Sequence, residues 1–182
     1  MAKLIILEGL SRTGKTSIAK DLCDNGFGRI ISLKEKMPDR CDLSSFYKGT
    51  FFSYDAFFKA FPEETFILDR SFLSEIVYSK FFGRTQAIDN DYLYHFFDTH
   101  EIKLFYLWNE HFDYMKRGPK DRIVYNANDY ARLKNLFGTS LIDYDSHNQP
   151  AYFTAINTST NNLEQTTNLI KQKLWNKNIK NQ

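Results

Sequence analysis

The sequence predicts an α/β fold in which a five-stranded parallel sheet is covered by helices on both faces. Short apolar runs rich in β-forming residues alternate with segments of helical character, and these runs lie at residues 4–7, 30–33, 65–68, 104–108 and 152–156. A glycine-rich loop follows the first run, and an Asp-Arg pair follows the third. Because strands that alternate with helices pair in parallel, both features belong at the carboxyl edge of the sheet, where such folds bind ligands.

Length and composition favour a single soluble domain that spans residues 1–182. The formal net charge of +2 is too small for a surface that coats nucleic acid, so we expect no nucleic-acid partner. The apolar run from Leu4 to Leu7 is too short for a signal peptide or a membrane span. We therefore expect no membrane partner.

Cysteine and histidine spacing exclude two further classes of protein. Cys23 and Cys41 cannot form a framework of disulfides and are not a Cys-x-x-Cys pair, which indicates a reducing compartment and a cytoplasmic protein. The four histidines, at positions 95, 100, 111 and 147, show no metal-ligand spacing. We expect them at the surface or in a cleft.

The first predicted strand leads into Gly9-x-x-x-x-Gly14-Lys15-Thr16, a complete phosphate-loop motif followed by a helix. The glycines let backbone N–H groups approach phosphate oxygens, and the positive end of the following helix strengthens the anion site. Lys15 reaches the β- and γ-phosphates, and the Thr16 hydroxyl is a ligand for Mg²⁺. The motif predicts a P-loop NTPase fold that binds ATP and Mg²⁺, with ATP contacts from Gly9, Ser11, Arg12, Thr13, Gly14, Lys15, Thr16 and Ser17.

Turn-forming residues mark the ends of the predicted helices. The predicted helices cover residues 16–24, 44–61, 71–82, 91–100, 128–137 and 161–175. The first three end at Asn25-Gly26, before Pro62 and at Gly83, respectively. In the last helix, Asn161 and Glu164 predict a capping box, and the residues expected to face the core are Leu163, Leu169, Ile170 and Leu174.

The strand Thr65-Phe-Ile-Leu-Asp69 is followed at once by Arg70, and both side chains should face the same crevice as the phosphate loop. There Asp69 would either bind Mg²⁺ through water or accept the proton of an attacking oxygen, and Arg70 would hold the phosphate of an acceptor. Alone, such a pair is usually a helix cap with a solvated neighbour. Within the loop, Arg12 is long enough to bridge donor and acceptor phosphates, an effect worth ~10³-fold in rate where such arginines act.

A basic, turn-rich segment at about 116–127 predicts a short lid. Arg117, Lys120 and Arg122 would close over the phosphates and exclude water, because an open site would hydrolyse ATP without an acceptor. The simpler interpretation of the segment is a solvated basic loop.

Glu8-Gly-Leu-Ser-Arg-Thr-Gly-Lys-Thr16 resembles the phosphate loop of thymidylate kinases, with Ser11 in place of that family's Asp. Asp69-Arg70 is similar to the family's Asp-Arg motif, Arg117 to Ile123 resembles its lid, and Ile156 to Ser159 resembles its last strand. The resemblance spans nearly the whole chain. It implies a nucleoside monophosphate kinase that uses ATP and Mg²⁺, and it also implies a homodimer through an exposed apolar helix among 44–61 or 71–82.

The same resemblance implies roles for individual residues. Arg12, Lys15 and Asp69 would be catalytic, with Thr16 and Asp69 at the metal, while Arg117 and the loop from Asn157 would flank adenine. Tyr78 falls where the family crowds the sugar 2′ position, which favours deoxyribose. The residues expected on the substrate side are Glu8, Arg70, Ser74, Tyr78 and Phe52.

Two departures keep other acceptors open. Ser11 changes the contact with the acceptor sugar, and no arginine stands in the segment 51–56 that echoes the family's thymine-holding region. Asp69-Arg70-Ser71 is closer to the Glu-Arg-Ser of deoxynucleoside kinases, in which case Asp69 would act as general base toward a 5′-hydroxyl. A nucleotide-dependent binding protein without transfer activity, and a 5′-kinase acting on nucleic acid, are the remaining alternatives.

Overall fold

The computed structural model describes residues 1–32, 42–110, 126–147 and 153–174, with side chains as far as 142 in the third range. Five strands and six helices lie in these ranges. In chain order they are β1 Lys3–Gly9, α1 Lys15–Asp24, β2 Arg29–Ser32, α2 Leu43–Ala60, β3 Thr65–Asp69, α3 Phe72–Phe82, α4 Asn90–Thr99, β4 Glu101–Trp108, α5 Ala127–His147, β5 Phe153–Asn157 and α6 Leu163–Lys173.

The five strands form one parallel sheet in the order β2-β3-β1-β4-β5, which confirms the predicted fold class. The central strand is β1, in which Leu7 pairs with Asp69 of β3 and Gly9 pairs with Leu107 of β4. The carboxyl ends of three strands therefore meet at one edge of the sheet. The phosphate loop leaves from the middle of that edge.

The two faces of the sheet bury separate cores, because successive strand residues point to opposite sides. From β1, Leu4 and Ile6 pack into the larger core with α2, α3, α4 and α5, whereas Ile5 and Leu7 pack into the smaller core with α1 and α6. Phenylalanine and leucine are equally common among the described buried residues of the larger core, with eight of each. No helix among the described residues has the length and apolar character needed to cross a membrane.

One helix is longer than predicted. The sequence analysis ended it at Phe137, before Gly138, but α5 runs from Ala127 to His147. Leu141 is 1% exposed and belongs to the same core cluster as Phe137 and Leu133, four and eight residues earlier. Burial of this stripe outweighs the cost of about 1 kcal/mol for a glycine inside a helix.

The predicted capping box of α6 is wrong by one residue. The N-cap is Asn162, whose side chain accepts a hydrogen bond from the Gln165 backbone N–H at 2.8 Å, while the Gln165 side chain accepts from the Asn162 N–H at 3.0 Å. Asn161 instead donates its side-chain amide to the Asn157 carbonyl at 2.8 Å. Two adjacent asparagines gave the sequence two equivalent starting points, and the connecting loop selects the second.

The predicted core face of α6 is half right. Ile170 and Leu174 are buried, but Leu163 and Leu169 are 48% and 39% exposed. Leu163 is the first residue of the helix and lines a surface cavity, and Leu169 lies beside the buried stripe. Thr166, 2% exposed, extends that stripe toward the phosphate loop.

His100 is not at the surface or in a cleft, as the sequence analysis expected, but 4% exposed in the larger core. It lies between α4 and β4, with its ring edge-on to Phe58 and Phe96. Its Nε2 lies 3.0 Å from Asp55 Oδ1 of α2, and Lys59 Nζ lies 2.6 Å from the other oxygen of that carboxylate. The carboxylate of Asp55, on a different helix, explains how a histidine is buried here. The pairing left no signal in the sequence around His100.

Candidate active site

The backbone of the phosphate loop adopts conformations that few residues tolerate. Gly9 has φ 127°, and a Cβ atom there would overlap the Leu107 carbonyl oxygen of β4. Gly14 has φ 86° and forms the N-cap of α1, and between them Arg12 has φ 63°. The two motif glycines thus stand where only glycine fits without strain.

Lys15 lies inside the curve of this loop and is only 5% exposed. Its Nζ donates to the Leu10 carbonyl and, at 3.0 Å, to Thr13 Oγ1. These contacts hold the ammonium group within the ring of backbone atoms at the N-terminus of α1. A cation at the N-terminus of a helix is an arrangement that favours the binding of an anion.

Thr16 and Asp69 come together across the sheet edge, as predicted for a metal site. Thr16 Oγ1 donates to Asp69 Oδ2 at 2.6 Å, and Asp69 is 3% exposed. A hydroxyl and a carboxylate are the oxygen ligands that Mg²⁺ prefers, and Mg²⁺ in nucleotide sites takes one or two protein ligands together with phosphate and water. The donor set therefore fits Mg²⁺.

Arg70 lies on the side of the phosphate loop that faces α3. Its backbone has φ 82°, and its N–H donates to the Leu7 carbonyl at 3.0 Å. Its guanidinium donates to the Gly9 carbonyl at 2.9 Å and to Ser11 Oγ at 3.4 Å, and it lies 5.9 Å from the centre of the Tyr78 ring. The structure thus brings Arg70, Ser11 and Tyr78 together on the predicted substrate side.

Glu8 is fully buried, which its predicted role on the substrate side did not anticipate. Its Oε1 accepts from the Ser71 backbone N–H and from Ser71 Oγ, both at 2.6 Å, and its Oε2 accepts from Ser74 Oγ at 2.7 Å. Ser71 is the N-cap of α3. The Glu8 carboxylate therefore joins the end of β1 to the start of α3.

A cavity of about 200 Å³ lies beside the phosphate loop, on the side of α1 and α6. It is lined by Arg12, Thr13, Gly14, Ser17, Ile18, Asn109, Thr158, Asn161, Leu163 and Thr166. Asn157 is not among them, because its side chain donates to Glu110 Oε1 at 2.7 Å and accepts from the Ser159 N–H at 2.9 Å. The loop after β5 thus borders the cavity as expected, but through Thr158 and Asn161.

Asn109, a cavity residue that the sequence analysis missed, follows directly after β4. It is 2% exposed, its side-chain oxygen accepts from the Thr158 hydroxyl, and its carbonyl accepts from Tyr130 Oη at 2.5 Å. Its position one residue beyond a parallel strand was a usable signal, the same one that pointed to Asp69.

Phe52 is not brought together with the other residues predicted on the substrate side. Its ring packs edge-on against Phe51 and against Tyr92 of α4, with centroids 5.6 and 5.4 Å apart, and it is 49% exposed. Its neighbour Phe51 is a core residue at 3% exposure. The predicted lid residues Arg117, Lys120 and Arg122 lie outside the described residues.

The parallel sheet with its phosphate loop is a fold shared with solved thymidylate and deoxynucleoside kinases. No family model matches the sequence, and no curated protein matches it either. Among solved structures, the YorR protein of Bacillus subtilis in complex with phosphorylated GDP is similar, with a TM-score of 0.69 and 18% identity over 93% of this chain and 94% of that one.

Two kinases share the same fold. Deoxyadenosine kinase from M. mycoides, solved with dCMP and dCDP, gives a TM-score of 0.58 at 16% identity over 93% of this chain and 97% of its own. Thymidylate kinase from Candida albicans also gives 0.58, at 18% identity over 94% of this chain and 90% of its own. Identities this low establish a common fold, and the chemistry has to be argued from the site.

Proposed function

We propose that this protein transfers the γ-phosphoryl group of ATP to a nucleoside monophosphate, with a deoxynucleoside monophosphate as the expected acceptor. The placement of Arg70 carries the proposal. Every partner of its guanidinium among the described residues is uncharged, namely the Gly9 carbonyl, two serine hydroxyls and the Tyr78 ring. A cation held at the edge of a phosphate loop without a carboxylate partner suits a second phosphate group.

On the donor side, the loop N–H groups and Lys15 would bind the β- and γ-phosphates, and the base would occupy the cavity beside α6. Thr16 and Asp69 would hold Mg²⁺, which neutralises charge on the transferring group when it is bound. Arg12 borders both the loop and the cavity, and it would bridge the two phosphates. A monophosphate acceptor is already an anionic nucleophile, so positioning and charge neutralisation suffice.

A deoxynucleoside kinase is the second candidate, favoured by Asp69-Arg70-Ser71 and by the likeness in fold to deoxyadenosine kinase. It requires a base near the acceptor 5′-hydroxyl. Asp69 is hydrogen-bonded to Thr16 on the metal side, and Glu8 is buried with three donors. Because both carboxylates have these partners, the monophosphate is the better acceptor for this site.

The test is ADP release from Mg²⁺·ATP with a panel of acceptors: nucleosides, deoxynucleoside and ribonucleoside monophosphates, and 5′-hydroxyl oligonucleotides. We expect the deoxynucleoside monophosphates to raise turnover most. Turnover that only nucleosides raise would favour the second candidate. Turnover that no acceptor raises above the ATP-only background would refute a kinase and favour a nucleotide-dependent binding protein.

Variants of Arg70 and Arg29 then test whether Arg70 binds the acceptor phosphate. Arg70→Ala should lower kcat/KM for monophosphates by about 10- to 100-fold, the value of a lost charge-assisted hydrogen bond, and should affect nucleosides far less. Arg29→Ala is the matched control, because Arg29 lies on an exposed edge strand. Equal losses for both acceptor classes would exclude a phosphate clamp.

The remaining predictions concern residues beyond this core. The proposal also includes closure by Arg117, Lys120 and Arg122, base stacking by Phe52, a contact from Asn157, deoxyribose selection by Tyr78, and a homodimer.

Lys15→Ala and Asp69→Asn should each abolish most transfer while the protein stays folded. Circular dichroism of both variants is the control for folding.

A further inference from the structure

The Ser74 hydroxyl lies between a buried carboxylate and the arginine of the proposed acceptor site. Ser74 Oγ is 2.7 Å from Glu8 Oε2 and 3.4 Å from Arg70 Nη1. It comes from the first turn of α3, whereas Glu8 lies near the end of β1 and Arg70 follows β3. Three separate elements therefore meet at one hydroxyl group.

The chemistry of the three groups fixes the direction of both hydrogen bonds. A guanidinium only donates, a carboxylate only accepts, and a serine hydroxyl has one hydrogen to donate and lone pairs to accept with. Ser74 must therefore donate to Glu8 and accept from Arg70. The hydroxyl transmits an attraction between the two charges while it keeps them from forming a direct ion pair.

Direct pairing would change what Arg70 can do. An arginine beside a carboxylate forms a bidentate pair, which neutralises its charge and occupies the N–H groups that would bind a phosphate. Among the described residues, Glu8 is the carboxylate that Ser74 links to Arg70. Both of its oxygens accept hydrogen bonds from serines, Oε1 from Ser71 and Oε2 from Ser74. Arg70 is left with the loop carbonyl and hydroxyl partners that aim it along the loop.

We propose that Glu8 and Ser74 are positioning residues that keep the Arg70 guanidinium unpaired and directed at the acceptor phosphate, and that neither contacts the substrate. This inference rests on the proposed function. The Arg70 backbone supports it, because φ 82° is strained for a non-glycine residue and persists only where neighbouring contacts enforce it. Glu8 supplies such contacts through the backbone and side chain of Ser71, the next residue.

The deciding experiment compares Ser74→Ala with Ser79→Ala. Ser79 is the matched control, since it is a buried serine of the same helix that donates to a buried carboxylate, Glu75 Oε1, at 2.6 Å. We expect Ser74→Ala to raise the KM for the monophosphate acceptor by about 10- to 100-fold, as for other small misplacements of a positioning group, and to leave the KM for ATP unchanged. Ser74→Thr, which keeps the hydroxyl, should restore most of the loss.

Several results would overturn the inference. They are equal rises in both KM values, the same selective rise in Ser79→Ala, or no rescue by Ser74→Thr. If Ser74→Ala does not fold, Glu8→Gln takes its place, because a side-chain amide cannot accept all three serine hydrogen bonds and should give the same selective rise.

A measurement without turnover separates this inference from the proposed function. The Nε–Hε signal of Arg70 in ¹⁵N-edited NMR spectra should shift in Ser74→Ala and stay in place in Ser79→Ala. If no acceptor supports turnover but the signal shifts as expected, the proposed function fails and the positioning of Arg70 stands. An Arg70 signal unchanged in Ser74→Ala would overturn the positioning role whatever the activity.

Discussion

Two non-glycine residues in the described part of the chain have positive φ, and both are arginines of the site. Arg12 lies in the phosphate loop with φ 63°, and Arg70 lies just beyond β3 with φ 82°. Each such conformation costs about 1 to 3 kcal/mol and is retained where the surroundings over-determine it. The sequence analysis assigned both side chains to phosphates on chemical grounds, and the backbone independently marks the same two positions.

Gly9 offers a sharp test at the scale of one residue. Gly9→Ala should lower the free energy of unfolding by about 3 kcal/mol or more, because it combines positive-φ strain with a clash against the Leu107 carbonyl in the central pair of strands. Urea denaturation measures the change. Gly26→Ala is the control, with φ 73° and open space around the new methyl group, and should cost only about 1 kcal/mol. Equal costs would contradict the close approach at Gly9.

At the scale of elements, the buried pair of Asp55 and His100 ties α2 to the junction of α4 and β4. The His100 pKa is lowered because burial outweighs the raising effect of Asp55, and Lys59 and the chain N-terminus add smaller lowering contributions. Nδ1 has no hydrogen-bond partner in the described part of the chain, so a proton there would be buried without an acceptor. The neutral ring is therefore the folded form.

This pair predicts how stability depends on pH. Because the folded-state pKa lies below the unfolded value of about 6.5, the unfolded chain binds more protons, and stability should fall as pH drops through 6.5 and below. Urea midpoints between pH 7.5 and 5 measure this slope, which should flatten in His100→Gln. His95→Gln, at an exposed position of the same helix, is the control. An unaltered slope in His100→Gln would refute the assignment.

The start of α6 is a second test at this scale. Asn162→Ala should lower the free energy of unfolding by about 1 kcal/mol, because it removes the N-cap hydrogen bond to Gln165. Glu164→Ala should change it little, since Glu164 is exposed and has no part in the capping box. Thermal or urea unfolding of both variants decides between the observed cap and the one predicted from sequence. A larger loss of unfolding free energy in Glu164→Ala than in Asn162→Ala would favour the cap predicted from sequence.

At the scale of the whole molecule, the phosphate loop separates two compartments. The cavity proposed for the donor base lies on the side of α1 and α6, and Arg70 with the start of α3 lies on the other side of β1. The loop, at the carboxyl end of the central strand, borders both. The proposed transfer would run across the loop, from the donor in one compartment to the acceptor in the other.

Binding of Mg²⁺·ATP should stabilise the entire domain, because the loop joins both cores. At one hundred times its Kd, a ligand adds about 2.7 kcal/mol, which corresponds to a rise of about 5 to 10 °C in Tm for a domain of this size. Lys15→Ala should lose most of that rise. Lys20→Ala is the control, because Lys20 is an exposed residue of the same helix. An equal rise in wild type and Lys15→Ala would remove Lys15 from nucleotide binding.

Local patterns sufficed for much of the fold and of the donor side. The alternation of strands and helices predicted the parallel sheet, and adjacency in sequence placed Lys15 and Thr16 on one loop. The rule that ligands bind at the carboxyl ends of parallel strands brought Asp69 and Arg70 to that loop, and the structure confirms both placements. Each of these inferences depends on residues close in the chain or on one general property of parallel sheets.

Tertiary structure alone decided the rest. That Glu8 is buried, that Ser74 separates it from Arg70, and that His100 pairs with Asp55 depend on side chains from different elements meeting within 3.5 Å. Such contacts follow from how helices rotate and slide against the sheet, and hydrophobic periodicity fixes that packing only to within a turn. The sequence by itself determined which chemical groups gather at the sheet edge, whereas packing determined which of them face a substrate and which only hold the others in place.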